Sequence, residues 1–208
     1  MSSKFVSNKD ETIRLFENPI LEALSHVHPI TPFIVFIPIT VGLISMSWDM
    51  SMFGLIISVF AGLVFWTLFE YVLHRFVFHY TPKTQWGKRF HYFTHGIHHD
   101  YPKDSTRLVM PLGVSIPLAG ILYVPFHVFA GVWGHAFFAG FLFGYMCYDA
   151  MHFAVHHLQC NGKIGRFMHA YHMKHHFHDD HNSFGVSSPL WDMIFSTLPK
   201  DRKSTRLN

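Results

Sequence analysis

The chain has 208 residues, of which 50% are hydrophobic, 17% aromatic and only 14% charged, and its formal net charge is +3. An average soluble domain has roughly 25% charged residues, so this composition argues against an ordinary soluble protein. The small positive charge gives no reason to expect binding to nucleic acid. The length fits one or two domains.

Three long stretches of the chain carry no formal charge: residues 23–48, 50–69 and 108–148. A membrane-spanning helix needs about 20 mostly apolar residues, so the third stretch has room for two spans joined by a tight turn. We therefore predict an all-α integral membrane protein with four transmembrane helices, near residues 31–48, 51–72, 108–128 and 134–151. An unusually apolar soluble helical bundle is the alternative, and three charge-free stretches of this length disfavour it.

The distribution of basic residues predicts the orientation in the membrane. Four spans place the N-terminal arm (1–30), the loop 73–107 and the residues after 151 on one side. All 16 Lys and Arg residues lie in those segments, and basic flanks favour the cytosol. We expect a membrane domain over 31–199 and a polar tail over 200–208. Cys147 and Cys160 lie at or beyond the cytosolic end of the last span, so we expect no disulfide.

Histidine is concentrated on the predicted cytosolic side, where 15 of the 19 histidines follow the second and fourth spans. Ten of these, with His157, form four clusters. In chain order the clusters are His74 and His79; His95, His98 and His99; His152, His156 and the adjacent His157; and His172, His175 and His176.

The spacing within these clusters is helical. Positions i, i+3 and i+4 share one face of an α-helix, so each HxxHH motif predicts three imidazoles on one stripe, and HxxxH predicts two. His74 and His79 are five residues apart, about 140° around a regular helix, and should not bind the same metal from an undistorted helix. Gly96, inside the second cluster, weakens a continuous helix, and we expect a helix to begin there.

Ten imidazoles from two loops on one side of the membrane predict a metal centre. A tetrahedral zinc ion takes four ligands, so ten nitrogen ligands suit two metal ions with four or five ligands each. Imidazole binds zinc, copper, iron and nickel alike, and the ligand type therefore leaves the metal open. The candidate ligands are His74, His79, His95, His98, His99, His152, His156, His172, His175 and His176.

Four further residues are candidates to orient these ligands. Glu70 lies four residues before His74, and Asp149 lies three before His152, each on the same helical face as the histidine. Metal-bound histidines commonly donate their other N–H to a carboxylate. Asp149 is alternatively a direct ligand, and either acid alternatively pairs with a loop cation. The other two candidates are His157 and His169, the latter on the stripe of His172 and His176.

The tail contains one more predicted element. Trp191 and Asp192, in PLWDMIF, predict a short helix at the membrane surface that closes the metal site from below.

The order of motifs HRFVFH, HGIHHDYPKD, HFAVHH and HMKHH, closing with FGVSSPLWDMIFSTLP, resembles the fatty acid hydroxylase superfamily of integral-membrane di-metal oxygenases. FEYVLHRFVFH at 69–79 and HHDYPKDSTRLVMP at 98–111 are most similar to the sphingolipid fatty acid 2-hydroxylases. The resemblance runs from RLFENP at 14–19 to Pro199.

This resemblance implies a cytosolic helical cap with a di-iron centre, sometimes loaded with zinc, whose ligands correspond to the ten histidines named above. It implies O2-dependent hydroxylation at carbon 2 of a very long acyl chain, free or in a ceramide. Many relatives carry an N-terminal haem domain. The 30 residues before the first span are too few for one, so we expect a separate electron-transfer protein. The expected location is the endoplasmic reticulum or the bacterial cytoplasmic membrane.

Two other functions remain open from the residues alone. A sterol or carotenoid hydroxylase or desaturase of the same superfamily would use the same histidines. A histidine-rich metal transporter is the alternative from a different class, but transport sites lie near the bilayer midplane, whereas these histidines cluster at the ends of spans and beyond.

Overall fold

Helices are the only regular secondary structure in residues 5–199, the part of the chain that the computed structural model describes. The predicted all-α class is confirmed for these residues, and the predicted polar tail, 200–208, lies outside them. In chain order the α-helices are α1 Pro19–Leu24, α2 Thr31–Ser45, α3 Met52–Leu73, α4 Gln85–His91, α5 Ile97–Asp100, α6 Leu112–Ala130, α7 Val132–His157, α8 Lys163–Phe177 and α9 Leu190–Ile194. Two π-helical turns, His74–Phe78 and Tyr92–Gly96, continue α3 and join α4 to α5.

The helix α7 is the centre of the bundle, because it packs against α2, α3 and α6. Buried residues occur along its whole length, from Gly134 to His156. The core of the bundle is largely aromatic, with Trp66 of α3 packed edge-on against Phe141 of α7 at 5.0 Å between ring centroids. A helix that is buried on most of its faces is the expected centre of a bundle.

Glycines allow α3 and α7 to approach each other closely. A Cβ atom added at Gly62 of α3 would overlap the backbone carbonyl of Phe137, and one added at Gly140 of α7 would overlap the carbonyl of Val59. Small residues at helix contacts are typical of membrane bundles, where packing and not hydrophobic burial drives association.

The outer faces of the bundle are apolar and uncovered. Two helical stretches are long and apolar enough to cross a membrane: Met52–Phe78, which joins α3 to its π turn, and Leu112–Ala130. Only 6% of the apolar window in Leu112–Ala130 is buried inside the protein, so much of the surface of this helix is uncovered among the described residues. Exposed side chains such as Phe60 and Phe129 suit contact with lipid.

The other two predicted spans match helices of different character. The first, predicted at 31–48, is α2, which has 15 residues and is therefore only about 22 Å long. The fourth, predicted at 134–151, is α7, which has 26 residues but includes Asp149 and four histidines. Two candidate spans follow from length and composition, and the four-span count remains a prediction.

The short connections of the bundle lie at the end opposite the histidine clusters. The hydroxyl of Ser47, between α2 and α3, donates to the carbonyl of Val132 at 3.1 Å. The turn between α6 and α7 is a single residue, Gly131, whose φ of 52° suits glycine. This arrangement leaves the C-terminal ends of α3 and α7 together at the other end, where the chain continues into its histidine-rich segments.

Part of the N-terminal arm, residues 5–24, lies against the loop 100–107. The backbone N–H of Ser7 donates to the carbonyl of Asp100 at 2.8 Å. The guanidinium of Arg107 donates to the carbonyl of Ile13 at 2.5 Å and to Glu22 at 2.8 Å. The arm is thus attached to the segment that follows His98 and His99.

Candidate metal centre

Ten histidines form two compact groups where α3 and α7 end. In each group the candidate ligand atoms all lie within 4.8 Å of one another. The first cluster is His74, His79, His95, His99 and His175, and the second cluster is His98, His152, His156, His172 and His176. Every member is buried except His79, which is partly exposed.

The first cluster depends on a π-helical turn at the end of α3. The backbone N–H of His79 donates to the carbonyl of His74 at 3.0 Å, which is the i→i+5 bond of a π-helix. The wider turn returns residue i+5 to the same face, and the Nε2 atoms of His74 and His79 are 3.2 Å apart. The expectation that these two imidazoles diverge by about 140° is wrong for this chain, because the helix is not regular there.

A second π turn positions His95 and His99. Gly96 ends the turn Tyr92–Gly96 inside one continuous helical stretch that begins at Gln85, where the hydroxyl of Thr84 accepts from the N–H of Gly87 at 3.0 Å. The prediction that a helix begins at Gly96 is therefore wrong. The Nε2 atoms of His95 and His99 are 2.9 Å apart.

Regular helices build most of the second cluster. His152 and His156 are four residues apart on α7, and His172 and His176 are four apart on α8, as the HxxxH spacing predicts. The Nε2 atom of His172 lies 2.9 Å from that of His156 and 3.0 Å from that of His176. His98 completes the cluster, with its Nε2 atom 2.9 Å from that of His152.

The two HxxHH motifs each contribute to both clusters. In the first motif His95 and His99 belong to the first cluster while His98 belongs to the second. In the second motif His175 joins the first cluster while its neighbour His176 joins the second. The single stripe that helical spacing predicts is therefore divided between two sites, and the clusters are in contact: the rings of His99 and His176 stack at 4.3 Å.

The spacing of the nitrogen atoms fits metal coordination. Close Nε2 pairs within each cluster are 2.9–3.2 Å apart. Two imidazoles bound at about 2.1 Å and at right angles would place their nitrogens about 3.0 Å apart. The Nδ1–H of His175 donates to the carbonyl of Asn182 at 2.8 Å, and that of His74 donates to the carbonyl of Phe184. These bonds leave the Nε2 lone pairs directed at the cluster.

Burial favours neutral imidazoles in both clusters. Desolvation, reinforced by the neighbouring imidazoles, holds the pKa of His95, His98, His172 and His176 well below the ordinary value. A histidine must be neutral to bind a metal ion. The donor set, its spacing and its protonation state therefore fit two metal ions, one in each cluster.

Comparison with known proteins identifies the family of this chain. The family model described as "Fatty acid hydroxylase" matches residues 59–197, which include all ten clustered histidines. The chain belongs to the fatty acid hydroxylase family. Similar relatives include a dihydroceramide fatty acyl 2-hydroxylase of Arabidopsis thaliana, 40% identical over 80% of this chain and 71% of the relative.

Two further relatives and one structure agree with this membership. A ceramide very long chain fatty acid hydroxylase of Saccharomyces cerevisiae is 41% identical over 65% of this chain and 36% of its own length. The fatty acid 2-hydroxylase of Mus musculus is 34% identical over 89% of this chain and 56% of its own. The structure of full-length Scs7p, in which only the hydroxylase domain is visible, superposes with a TM-score of 0.84 at 34% identity, over 89% of this chain and 72% of that one.

Within this hydroxylase fold, Glu70 has a different partner from the one predicted. Its buried carboxylate accepts the backbone N–H groups of Val186 and Ser187, at 2.6 and 2.9 Å, and the hydroxyl of Ser187. The prediction that it accepts from a clustered histidine is wrong, because the carboxylate accepts its hydrogen bonds from a tail segment that is distant in sequence. Spacing along α3 gives no sign of that segment.

The other three candidates to orient the ligands also lie outside the two clusters. Both carboxylate oxygens of Asp149 are buried without a hydrogen-bond partner among the described residues, so Asp149 accepts no hydrogen bond from a clustered imidazole, and it belongs to neither cluster. His157 stacks on Phe153 at 4.7 Å. The Nδ1–H of His169 donates to the carbonyl of Val155 at 2.7 Å, next to His156 but not to its ring.

The tail segment 182–187 is the part of the site that sequence reasoning missed. Its backbone carbonyls at Asn182 and Phe184 accept from His175 and His74. Backbone acceptors leave no mark in residue type, and the only signal was the turn-forming composition of SFGVSSP. The helix predicted around Trp191 and Asp192 is present as α9, and Asp192 is fully buried beneath this segment.

One cavity borders the site and a second lies within the helical bundle. A polar cavity of about 340 Å³ opens onto the first cluster and is lined by His79, His95 and His99. An apolar cavity lies between α2, α3, α6 and α7, with Leu73 and Trp66 in its wall. Leu73, in the wall of this cavity, directly precedes His74 in the chain.

Proposed function

We propose that this chain is an O2-dependent membrane hydroxylase that places a hydroxyl group on carbon 2 of a long or very long fatty acyl group, free or in a ceramide. The observation that carries the proposal is the pair of five-histidine clusters in a family member whose similar relatives are fatty acyl 2-hydroxylases. The chain spans 71%, 36% and 56% of the three relatives compared above, so activity, substrate and partners are proposals for this chain.

We assign all ten clustered histidines as ligands of two metal ions, five to each. The ions are proposed to be iron, with zinc able to occupy the same nitrogen sites in purified material. A bound iron pair would supply the oxidising chemistry that side chains lack, because an unactivated C–H bond offers no acid–base handle. The protein keeps the imidazoles neutral, fixes the tautomers of His74 and His175, and buries every clustered histidine except the partly exposed His79.

The apolar cavity measures about 40 Å³ in this structure, and we propose that it widens between the helices to admit the acyl chain. Its walls come from four helices and include Phe36, Trp66, Phe69 and Leu142. An alkyl chain gains about 0.8 kcal/mol for each methylene moved from water into such surroundings. The position of Leu73 in the wall, one residue before His74, would keep the carboxyl end of the chain close to the first cluster.

The proposed topology has four spans, α2, α3, α6 and α7, with the N-terminal arm and both histidine-rich segments forming a cap in the cytosol. The domain layout is then an arm over 1–30, a membrane domain over 31–199 and a tail over 200–208. Electrons would come from a separate protein. The proposed membrane is the endoplasmic reticulum or the bacterial cytoplasmic membrane.

The test is to purify the protein, determine its metal content, and supply O2, a reductant and acyl lipids. We expect 2-hydroxy acyl products and two bound ions per chain. His98→Ala or His176→Ala, which each remove a ligand of the second cluster, should abolish hydroxylation while the protein stays in the membrane. The matched control is His178→Ala, because His178 is exposed and lies just beyond α8.

Three outcomes would contradict the proposal: an active sample without transition metal, full activity in His98→Ala, or hydroxylation of sterols or carotenoids in place of acyl chains. The last outcome would be consistent with the proposed metal centre but not with the proposed acyl substrate. Identifying the product therefore tests these two parts of the proposal separately.

A further inference from the structure

The segment 182–187, between α8 and α9, is held in place by two buried carboxylates that come from different helices. Glu70 belongs to α3 and Asp192 belongs to α9, and their side chains are 4% and 0% exposed. Neither forms an ion pair with a Lys or Arg residue among the described residues. A buried carboxylate without a cation is costly unless hydrogen bonds satisfy it, so the bonds that each one accepts are informative.

Asp192 accepts three hydrogen bonds. The N–H of Phe184 donates to its Oδ1 at 2.9 Å and the N–H of Gly185 donates to its Oδ2 at 2.7 Å. The hydroxyl of Thr197 also donates to Oδ1, at 2.7 Å. Each carboxylate oxygen of Asp192 therefore accepts a hydrogen bond from one backbone N–H group.

Glu70 accepts hydrogen bonds from the next two backbone N–H groups of the same segment. Both Val186 and Ser187 donate to its Oε1, and only the hydroxyl of Ser187 reaches Oε2. Four consecutive backbone N–H groups, 184–187, are thus bound by two carboxylates, which fixes the conformation of the segment.

The same segment fixes the first cluster through its carbonyls and one side chain. The carbonyls of Phe184 and Asn182 accept from His74 and His175. The ring of Phe184 lies 5.6–5.9 Å from the rings of His74, His79 and His175. The second cluster lacks such contacts: the Nδ1 atoms of His172 and His176 have no hydrogen-bond partner among the described residues.

We infer that Glu70 and Asp192 are positioning residues for the first cluster alone, acting through the segment 182–187, and that the second cluster does not depend on them. The inference rests on the proposed function in one respect, that each cluster holds a divalent transition metal ion. Removing partners that orient metal-bound histidines commonly lowers metal affinity by about 10–100-fold. Loss of either carboxylate should therefore weaken one of the two sites and spare the other.

The hydrogen bonds predict which substitutions are tolerated. Asp192→Asn replaces one acceptor oxygen by an NH2 group, which must face the N–H of Phe184 or Gly185, donor against donor. Glu70→Gln keeps an acceptor at Oε1 for both N–H groups, and its NH2 group faces the hydroxyl of Ser187, which is able to accept. Asp192→Asn and Glu70→Ala should thus disturb the segment, whereas Glu70→Gln should preserve it.

The experiment uses the full chain in detergent, loaded with Co²⁺, with bound metal per protein and the cobalt absorption spectrum followed during titration with a chelator. The wild type should hold two ions. In Asp192→Asn and Glu70→Ala one ion should be released at about 10–100-fold lower chelator concentration, while the other keeps its wild-type resistance. Glu70→Gln should behave as the wild type.

Asp104→Asn is the matched control. Asp104 is also a buried carboxylate, 2% exposed, that accepts a backbone N–H, from Thr106 at 3.0 Å, but it holds the loop near the N-terminal arm. This variant should retain both ions with wild-type resistance.

Wild-type resistance of both ions in Asp192→Asn and Glu70→Ala would overturn the inference, and so would equal weakening of both ions. If those variants do not give monodisperse protein, Glu70→Asp, which keeps the carboxylate but withdraws it by one methylene from the N–H groups of Val186 and Ser187, should still weaken one ion selectively, and no change would overturn the inference. A wild type that is active without metal would contradict the proposed function instead. Metal-loaded, active wild type with unaffected variants would contradict this inference alone.

Discussion

Arg107 is the residue that attaches the N-terminal arm to the rest of the chain. Its side chain is 4% exposed and forms ion pairs with Glu22 at 2.8 Å and Asp104 at 3.4 Å. It also donates to the carbonyl of Ile13 and the hydroxyl of Ser25. Only the forked guanidinium group offers donors in so many directions at once.

We expect Arg107→Lys to loosen the arm while leaving both clusters intact. Lysine keeps the charge but reaches fewer acceptors, and each buried acceptor left unpaired costs about 1–3 kcal/mol. Limited trypsin digestion should then cleave faster after Lys9 and Arg14. The control is Arg89→Lys, on the exposed surface of α4. Equal cleavage rates in the two variants would show that Arg107 does not hold the arm.

Sequence reasoning at the level of single residues identified the ten histidines that the structure brings together, but not the partners of the acids near them. Helical spacing correctly indicated that Glu70 and His74 share a face. Spacing within one helix carries no information about a segment more than 100 residues away, and the segment with Val186 and Ser187 occupies Glu70. The same limit applies to Asp149, whose position near His152 did not produce a hydrogen bond with its ring.

At the level of elements, the contact between α3 and α7 determines where the clusters form, because each helix ends in histidines of a different cluster. The contact depends on backbone-to-backbone approach at Gly62 and Gly140. Gly120 of α6, in contrast, has open space where a Cβ atom would lie. These two environments allow a matched comparison of glycine substitutions within the predicted spans.

Gly140→Ala should lower the thermal stability of the detergent-solubilised protein, whereas Gly120→Ala should leave it unchanged or slightly raised. The added methyl group at position 140 overlaps the Val59 carbonyl, and overpacking of this kind costs about 1–3 kcal/mol. At position 120 only the better helix propensity of alanine remains, worth up to about 1 kcal/mol. Similar melting temperatures for the two variants would contradict the close approach of α3 and α7.

The two π turns explain why histidine spacing predicted some helical segments wrongly. HxxxH and HxxHH predicted the contributions of α7 and α8 because those helices are regular. The pair His74 and His79 and the position of Gly96 were misjudged because a pattern based on 3.6 residues per turn cannot represent a turn closed by an i→i+5 bond. π turns occur frequently at functional sites, and both of those described here lead into ligands of the first cluster.

For the whole molecule, the distribution of charge and hydropathy predicted a helical membrane protein, and the helices lie close to the predicted spans. Length and composition alone support only two of these spans, because α2 is short and α7 carries polar groups that face the interior of the bundle. Two of those polar groups, His152 and His156, belong to the second cluster, so residues that build the candidate metal centre also weaken the signal of α7 as a span.

The proposed topology predicts which positions are accessible from each side of the membrane. In a variant with Cys147 and Cys160 replaced by alanine, single cysteines are placed at the exposed positions Asp49, Lys88 and Lys163. In spheroplasts of a bacterial host, a membrane-impermeant maleimide should label Asp49→Cys directly. Lys88→Cys and Lys163→Cys should be labelled only after permeabilisation. Labelling of Lys88→Cys and Lys163→Cys from opposite sides would disprove a shared compartment for the two histidine-rich segments.

The division of adjacent histidines between the clusters has a consequence for the distance between the two sites. His98 and His99 are joined by one peptide bond, as are His175 and His176, and consecutive Cα atoms are about 3.8 Å apart. Two covalent links therefore limit how far apart the clusters can lie. Repacking the lipid-facing helices should therefore leave the two clusters close together, because these peptide links are unchanged.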